Sequence, residues 1–259
     1  MRSIFKSCRV TLAVLVSVVA SGCATTPGTP NDPFEDFNRS VFSFNEAVDV
    51  AVLKPVATGY EKVVPQFMRT GVDNFFANLN DAWSAVNLVL QAKPLPGLET
   101  GMRFVFNSTF GIGGLIDIAG DVGMERRNED FGQTLGRWGV GPGPYLVLPI
   151  LGPSTVRDSA SLVADFYVAP SSWFESSRAQ WGVAILQLIS TRARLLSATR
   201  TIDDIALDKY LLIRDGYLVR RRNLVYDGNP PEPSQPASEP DADDKKAAPP
   251  QRAASGNAR

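Results

Sequence analysis

No histidine occurs among the 259 residues. That absence removes Ser-His-Asp triads, Cys-His pairs, His-ligated zinc and HExxH proteases together. Cysteine is almost as scarce: only Cys8 and Cys23 are present. Thiolate metal clusters and a disulfide framework are therefore excluded as well. The chain carries no G-x-x-x-x-G-K-[ST] phosphate loop and no G-x-S-x-G nucleophile elbow. Charge of either sign is not in excess. The net charge of −1 becomes −4 without the three cations Arg2, Lys6 and Arg9, too near neutral for nucleic-acid binding.

The first 22 residues explain both cysteines. Arg2, Lys6 and Arg9 precede a short apolar run over 10–19, and Ala20, Ser21 and Gly22 lead into Cys23. This is a secretory signal, too short to span a bilayer. Cys8 leaves with it. A lone cysteine cannot form an internal disulfide, and a free thiol is a liability in an oxidising compartment. A cysteine directly after small residues resembles the bacterial lipobox, in which the thiol carries diacylglycerol. Cys23 is expected to be the lipid anchor, and a covalent lipid there is the only attached group expected. Ala24 in the next position, where Asp would retain such a lipoprotein in the inner membrane, implies the outer membrane.

The expected organisation is a signal over 1–22, a lipidated tether over 23–31 ("CATTPGTPN"), one folded domain over 32–228 and a tail over 229–259. The tail, "NPPEPSQPASEPDADDKKAAPPQRAASGNAR", has almost nothing large and apolar to bury and is expected to be disordered.

Inside the domain the dominant period is helical, and the fold class is mostly α. Asn31 or Asp32 is expected to cap a first helix whose stripe is Phe37, Val41, Phe44, Val48 and Val52. Pro65 opens a second, with Val72, Phe75, Phe76, Leu79, Trp83, Val86 and Leu90 in register, closed by Pro94 and Pro96. Residues 98–109 follow as a helix, continued by "GIGGLIDIAG". Ser154 is expected to cap 155–167; further helices are expected over 176–198 and, from Asp203, over 203–226, weakened at Asp215-Gly216. Ten of the 14 phenylalanines lie from Phe34 to Phe110. Such stripes suit either a core or a helix lying in a membrane interface, and periodicity alone does not choose between them. Trp83, Trp138, Trp173 and Trp181 suit headgroup level or partial burial equally.

Residues 139–156, "GVGPGPYLVLPILGPSTV", break the pattern: 18 residues without a charge, four of them glycine and four proline. Such a run cannot sustain a helix, and bare non-helical backbone in hydrocarbon leaves polar groups unpaired. The segment is either a buried linker or the lining of a cavity or interface.

"DPFEDFNRSVFSFN", "FVFNSTFGIGGLIDIAG", "EDFGQTLGRWGVGPGPYLVLPILGPSTVRD" and "TRARLL", in this order over 32–226, resemble the VacJ/MlaA lipoproteins. The resemblance implies a single ring-like helical domain lying in the inner leaflet of the outer membrane, pierced by an amphipathic pore and associated with a porin trimer. Mislocalised outer-leaflet phospholipid would pass through the pore to a soluble periplasmic lipid carrier, preserving lipid asymmetry. Phe131, Leu135, Trp138, Gly139, Gly141, Gly143 and Tyr145 are expected to border the passage as a loop or hairpin over 131–145, with the glycines either setting its opening or serving local geometry. Arg220, Arg221 and Arg222 either contact phosphate or an acidic partner or form a solvated basic helix end. The expectation is no enzyme: Ser154 lacks the elbow glycine, although a Ser-Lys mechanism stays formally open. No metal is expected; Asp203-Asp204 reads as a helix start, and Glu46 with Asp49 as a polar face. A porin-tethering scaffold that moves no lipid is the alternative.

Overall fold

A computed structural model of the chain describes residues 32–169, 172 and 175–231. The signal, Cys23, the tether, Trp173 and all but the first three residues of the tail lie outside the described residues. Helices dominate, with one two-stranded sheet. Helix α1 (Glu35–Val48) widens into a π turn (Asp49–Leu53) and continues as α2 (Lys54–Val63). The widened turn sits directly ahead of Pro55, which has no N–H to return to the preceding turn. Pro65 then starts α3 (Gln66–Leu90), and α4 (Pro94–Thr109) folds back antiparallel on it. Pro94 therefore opens a helix rather than closing one, as its preset φ favours at the first helical position.

The "GIGGLIDIAG" stretch is not a helical continuation. Ile112, Gly113 and Gly114 take φ of 54°, 68° and 92°, forming a tight turn before the short α5 (Ile118–Asp121). Next comes α6 (Phe131–Arg137), capped by the Asp130 carboxylate accepting from the Gln133 N–H at 2.9 Å. Strands β1 (Tyr145–Leu148) and β2 (Gly152–Thr155) pair antiparallel, Tyr145 opposite Thr155 and Leu148 opposite Gly152. The uncharged segment is thus largely a hairpin. Thr155, not Ser154, caps α7 (Val156–Val168), its Oγ1 accepting from the Asp158 N–H at 3.2 Å. The expected 176–198 helix breaks at Leu195 into α8 (Ser177–Arg194) and α9 (Leu196–Ile205). Asp203 and Asp204 end α9 instead of starting a helix. The last helix, α10 (Lys209–Val225), is capped by Asp208 and runs unbroken through Asp215-Gly216. Among the described residues no helix is long and apolar enough to cross a membrane.

Packing neighbours close a ring. From α2 the contacts run to α8, then α3, α6, α10, the hairpin, α1, and back to α2. An apolar cluster of Tyr145, Val147 and Tyr210 and a set of buried polar side chains together make the closure between first and last helices. Asp32 does not cap α1; it is fully buried and accepts from Asn38 Nδ2 (2.8 Å), Tyr210 Oη (2.5 Å) and Arg214 Nη1 (3.3 Å). A buried carboxylate is tolerable only when its lone pairs are filled in this way. Asn38 and Asn45, two turns apart on α1, dock the hairpin. Asn38 Nδ2 donates to the Tyr145 carbonyl and its Oδ1 accepts from the Val147 N–H; Asn45 does the same for the Leu148 carbonyl and the Ile150 N–H.

Candidate functional site: a polar cleft and an apolar rim

Much of the apolar surface of α1 and α4 faces outward, while the α3 stripe is half-buried or buried from Val72 to Trp83. Phe37, Phe44 and Val52, expected on one face of the first helix, are all more than half exposed. On α4, Leu95, Leu98, Met102, Val105 and Phe110 recur at steps of three to five and stand exposed, Leu95 at 73%. The opposite face of the α3–α4 pair buries Asn78, Asp81, Ser84, Asn87, Thr100, Arg103 and Asn107, with Phe76 and Leu88 as the buried apolar side chains of α3. Among the described residues, buried polar and charged side chains outnumber buried apolar ones two to one. Contiguous exposed apolar surface on this scale is not what a water-soluble monomer presents.

Most of the buried polar groups satisfy one another, although Asn78 Oδ1, Asp81 Oδ1, Arg126 Nε and Gln133 Oε1 have no hydrogen-bond partner among the described residues. Arg103 Nε donates to Asp81 Oδ2 (3.1 Å), its Nη1 to the Met124 carbonyl (2.6 Å) and its Nη2 to Asp117. Arg126 approaches Asp81 at 3.6 Å, an ion pair too long for a hydrogen bond. Burial dominates at Asp81 and pushes its carboxyl up to about 6, against the pull of both arginines. A second network joins the α3 end to α6: Thr134 Oγ1 donates to Asn87 Oδ1 (2.7 Å), and Gln91 Nε2 to Glu129 (2.8 Å). Burial raises Glu129 despite that bond.

A cleft of about 860 Å³ opens between residues 125–133 and α10. Arg126, Asn128, Gln133, Arg220 and Asn223 contribute polar groups to its wall; Val219 and Leu224 contribute apolar ones. On the other side of the α3–α4 pair lies an apolar groove of about 750 Å³, lined by Val86, Val89, Leu90, Leu98, Val105 and their neighbours. Helix α6 stands between the two. Its Asp130 and Gln133 line the cleft, while Trp138, at its C-cap, donates Nε1–H to the Leu90 carbonyl at 2.9 Å. Phe131 packs edge-on against Trp138, ring centres 6.1 Å apart. Leu135 is half-buried on the same short helix.

The expected passage residues separate into three groups. Phe131, Leu135 and Trp138 cluster on α6 at the boundary of groove and cleft. Gly139, Gly141 and Gly143 lie in an exposed loop, tied by the Val156 and Arg157 N–H groups donating to the Pro144 and Pro142 carbonyls, both at 3.1 Å. Gly139 and Gly143 hold φ of 93° and 67°, where a side chain is strained. Gly141 does not, and a Cβ there meets nothing. A side chain at Gly141 therefore meets neither strain nor a neighbour. Tyr145 is fully buried against Tyr210 and Tyr217 and belongs to the core. The 131–145 span is helix, loop and the start of a strand, and the hairpin falls beyond it.

The three arginines have three different environments. Arg220 is exposed at the cleft. Arg221 is mostly buried, forking onto Asp130 (2.5 and 2.6 Å) and Asp158 (2.8 and 3.1 Å), so it is a structural clamp and not a free phosphate ligand. Burial would raise both carboxyls, but the Arg221 bonds outweigh it and hold them below their ordinary range. Arg222 donates to the Pro231 carbonyl. Sequence reasoning missed Gly132 and Gly136, one turn apart on α6. A Cβ on Gly132 would lie 2.5 Å from Arg221 Nη2, and one on Gly136 2.9 Å from the Val225 methyls. Their i, i+4 spacing was the available signal for close helix packing. Trp83 is half-buried, its Nε1 on Asp165 at 2.8 Å, while Trp181 is exposed. Glu46 pairs with Lys209 and Asp49 with Arg192, joining distant helices. Ser154 Oγ meets Ser159 Oγ at 2.9 Å, and among the described residues no bond brings a lysine to it.

Fold and surface together define a mostly helical protein with an apolar rim and a polar interior. The profile of the MlaA lipoprotein family matches residues 30–224, and the chain belongs to that family. It is 34% identical over 237 residues to the intermembrane phospholipid transport system lipoprotein MlaA of Escherichia coli K12, covering 88% of this chain and 92% of the relative. The protein of that name from Haemophilus influenzae is 33% identical, covering 83% and 90%. An uncharacterized protein of Rickettsia bellii is 36% identical over 200 residues, covering 76% and 78%. A solved structure described as the structural basis for maintenance of bacterial outer membrane lipid asymmetry superposes with a TM-score of 0.67 at 36% identity, covering 75% of this chain and 98% of that one.

Proposed function

We propose that the chain is an outer-membrane lipoprotein that helps to maintain lipid asymmetry by giving phospholipid headgroups a polar route past an apolar rim. The observation that carries this reading is the inverted α3–α4 pair, apolar outside and polar inside, beside a polar cleft. A helical ring of this kind lies within one leaflet, with acyl chains against Leu95, Leu98, Met102 and Val105. The headgroup moves along the cleft, where Arg220 offers a cation for its phosphate. Phe131, Leu135 and Trp138 divide the headgroup path from the acyl path. The lipid on Cys23 holds the ring to the periplasm-facing leaflet. A porin trimer takes part of the apolar rim, and a periplasmic lipid carrier receives phospholipid at the cleft. No bond of the phospholipid is made or broken, so no enzyme activity, metal or cofactor is required.

The test uses Gly216, which lines the cleft inside α10 and whose Cβ would meet no other atom. Gly216→Trp puts an indole into the cleft from a position with open space at its Cβ, whereas Gly216→Ala adds only helix propensity. Cells lacking the protein should accumulate outer-leaflet phospholipid. Wild type and Gly216→Ala should reverse this, and folded, membrane-localised Gly216→Trp should not. Full rescue by Gly216→Trp would favour the porin-tethering scaffold, which has no use for the cleft.

A further inference from the structure

A second, smaller pocket of about 230 Å³ lies where α2 ends, α3 begins and α8 breaks into α9. Arg69, Arg194 and Arg200 line it, together with Glu61, Asp73 and Tyr60. The acids engage the arginines only loosely. Arg69 Nη1 is 3.6 Å from Glu61, and Arg194 Nε is 3.5 Å from Asp73, both beyond a charge-assisted hydrogen bond. Asp73 instead accepts from Ser190 Oγ. The Arg200 guanidinium has no hydrogen-bond or ion-pair partner among the described residues. Two further groups are buried without a partner: the Tyr60 hydroxyl and Arg69 Nε.

The unpaired groups share one chemistry. Arg69 Nε and the Arg200 fork only donate, and the Tyr60 hydroxyl is free to donate. Buried donors such as the Tyr60 hydroxyl and Arg69 Nε are ordinarily matched, and what would match them together with the exposed Arg200 fork is an acceptor with several oxygens and negative charge. The planar guanidinium fork fits the oxygens of phosphate. The chain neighbours of the lining residues add a second property. Val63, Phe67 and Met68, at the end of α2 and in the first turn of α3 beside the lining residues Gln66 and Arg69, stand 80%, 76% and 52% exposed. An inorganic anion has no use for such a border; a glycerophospholipid does.

We propose that this pocket is a second lipid site, which binds the phosphodiester of a glycerophospholipid. Arg194 and Arg200 take phosphate oxygens, Arg69 Nε and the Tyr60 hydroxyl donate from below, and Val63, Phe67 and Met68 cover the glycerol and the start of the acyl chains. None of these residues lines the cleft, so the site stands whether or not lipid moves through the cleft.

The full chain, purified in a sugar-headgroup detergent, is titrated with dihexanoyl-phosphatidylglycerol, with inorganic phosphate and with dihexanoylglycerol. Affinity is read by calorimetry, and location by amide exchange over residues 194–200. The phospholipid should bind saturably and slow exchange there, and dihexanoylglycerol should do neither. Arg200→Gln, at an exposed position, should weaken binding about tenfold and abolish the protection, as expected for one lost charge-assisted contact. Arg220→Gln, in the cleft, should leave the protection of 194–200 in place. Inorganic phosphate should compete only at far higher concentration. Equal affinity for inorganic phosphate would make this a free-phosphate pocket and overturn the lipid assignment. Unchanged affinity and unchanged protection in Arg200→Gln would overturn the site altogether.

Discussion

The seam between first and last helices and the α3–α4 pair obey opposite rules. At the seam Tyr145, Val147 and Tyr210 form a buried cluster with Val41, Phe42, Leu211 and Leu218 around it, as in a protein folded against water. In the α3–α4 pair the buried face is mainly asparagine, serine, threonine, aspartate and arginine, with only Phe76 and Leu88 as buried apolar side chains, and most of the aliphatic surface is outside. Apolar burial can hold the first together in any aqueous setting. The second gains little by that route; its interior is held by hydrogen bonds, and its exterior is suited to a non-aqueous neighbour. The seam therefore accounts for ring closure, and the pair accounts for where the ring lies.

Breaking the polar clamp that ties α10, at the seam, to α6 and α7 should have the largest effect. Arg221→Gln removes the cation between Asp130 and Asp158 and leaves two partly buried carboxylates facing each other. The expected loss is about 3 to 5 kcal/mol in denaturant unfolding, as for other broken buried pairs. The neutral partner change Asp130→Asn should cost less. Gly132→Leu attacks the same junction sterically and should cost at least about 1 to 3 kcal/mol by overpacking.

Asn38→Ala tests the seam alone. It strips the Tyr145 carbonyl and the Val147 N–H of their partner and should cost about 1 to 3 kcal/mol. Aspartate at Leu98 and Val105 tests the pair alone. Secondary structure in detergent should be retained, while recovery in the membrane fraction falls.

Acidity distinguishes the regions more finely. Asp81 in the pair is raised from its ordinary 3.8 to about 6, so the folded state takes up a proton before the unfolded one. Its contribution is fully present below about 4 and is lost as pH rises through 6. Asp130 and Asp158 are depressed, so their contribution is present above the ordinary carboxylate range and is lost as pH falls through their lowered values. Unfolding midpoints should rise modestly from pH 7 toward 4 and drop below it. Asp81→Asn should flatten the upper limb and leave the acid limb. The smallest effect is expected at Gly141: Gly141→Ala meets open space at an ordinary φ and should change stability by less than about 0.5 kcal/mol.

The sequence carried the helical periods but not their orientation. Leu95, Leu98 and Met102 repeat as a core stripe would, and only the burial of Thr100 and Arg103 behind them shows that the stripe faces out. Local signals also misled where a long-range partner overrode them. Asp32 sits where a cap should be, yet Tyr210 and Arg214, almost 180 residues away, claim its carboxylate. Arg220, Arg221 and Arg222 are indistinguishable as letters. Their roles separate because one helix turns a single arginine toward Asp130 and Asp158. The charge-free segment was legible as non-helical, but its strand register depends on Asn38 and Asn45, more than 100 residues earlier.

The central claim is that the aliphatic face of α4 meets lipid while the cleft behind the α3–α4 pair does not. Single nitroxide labels at Leu95, Leu98, Met102 and Val105, and at the exposed cleft residue Glu125, with the protein in phospholipid vesicles, test it directly through collision with oxygen and with a water-soluble nickel chelate. The account predicts high oxygen and low nickel access at the first four positions and the reverse at Glu125. Nickel access at Leu98 and Val105 equal to that at Glu125 would place the stripe in water and contradict it.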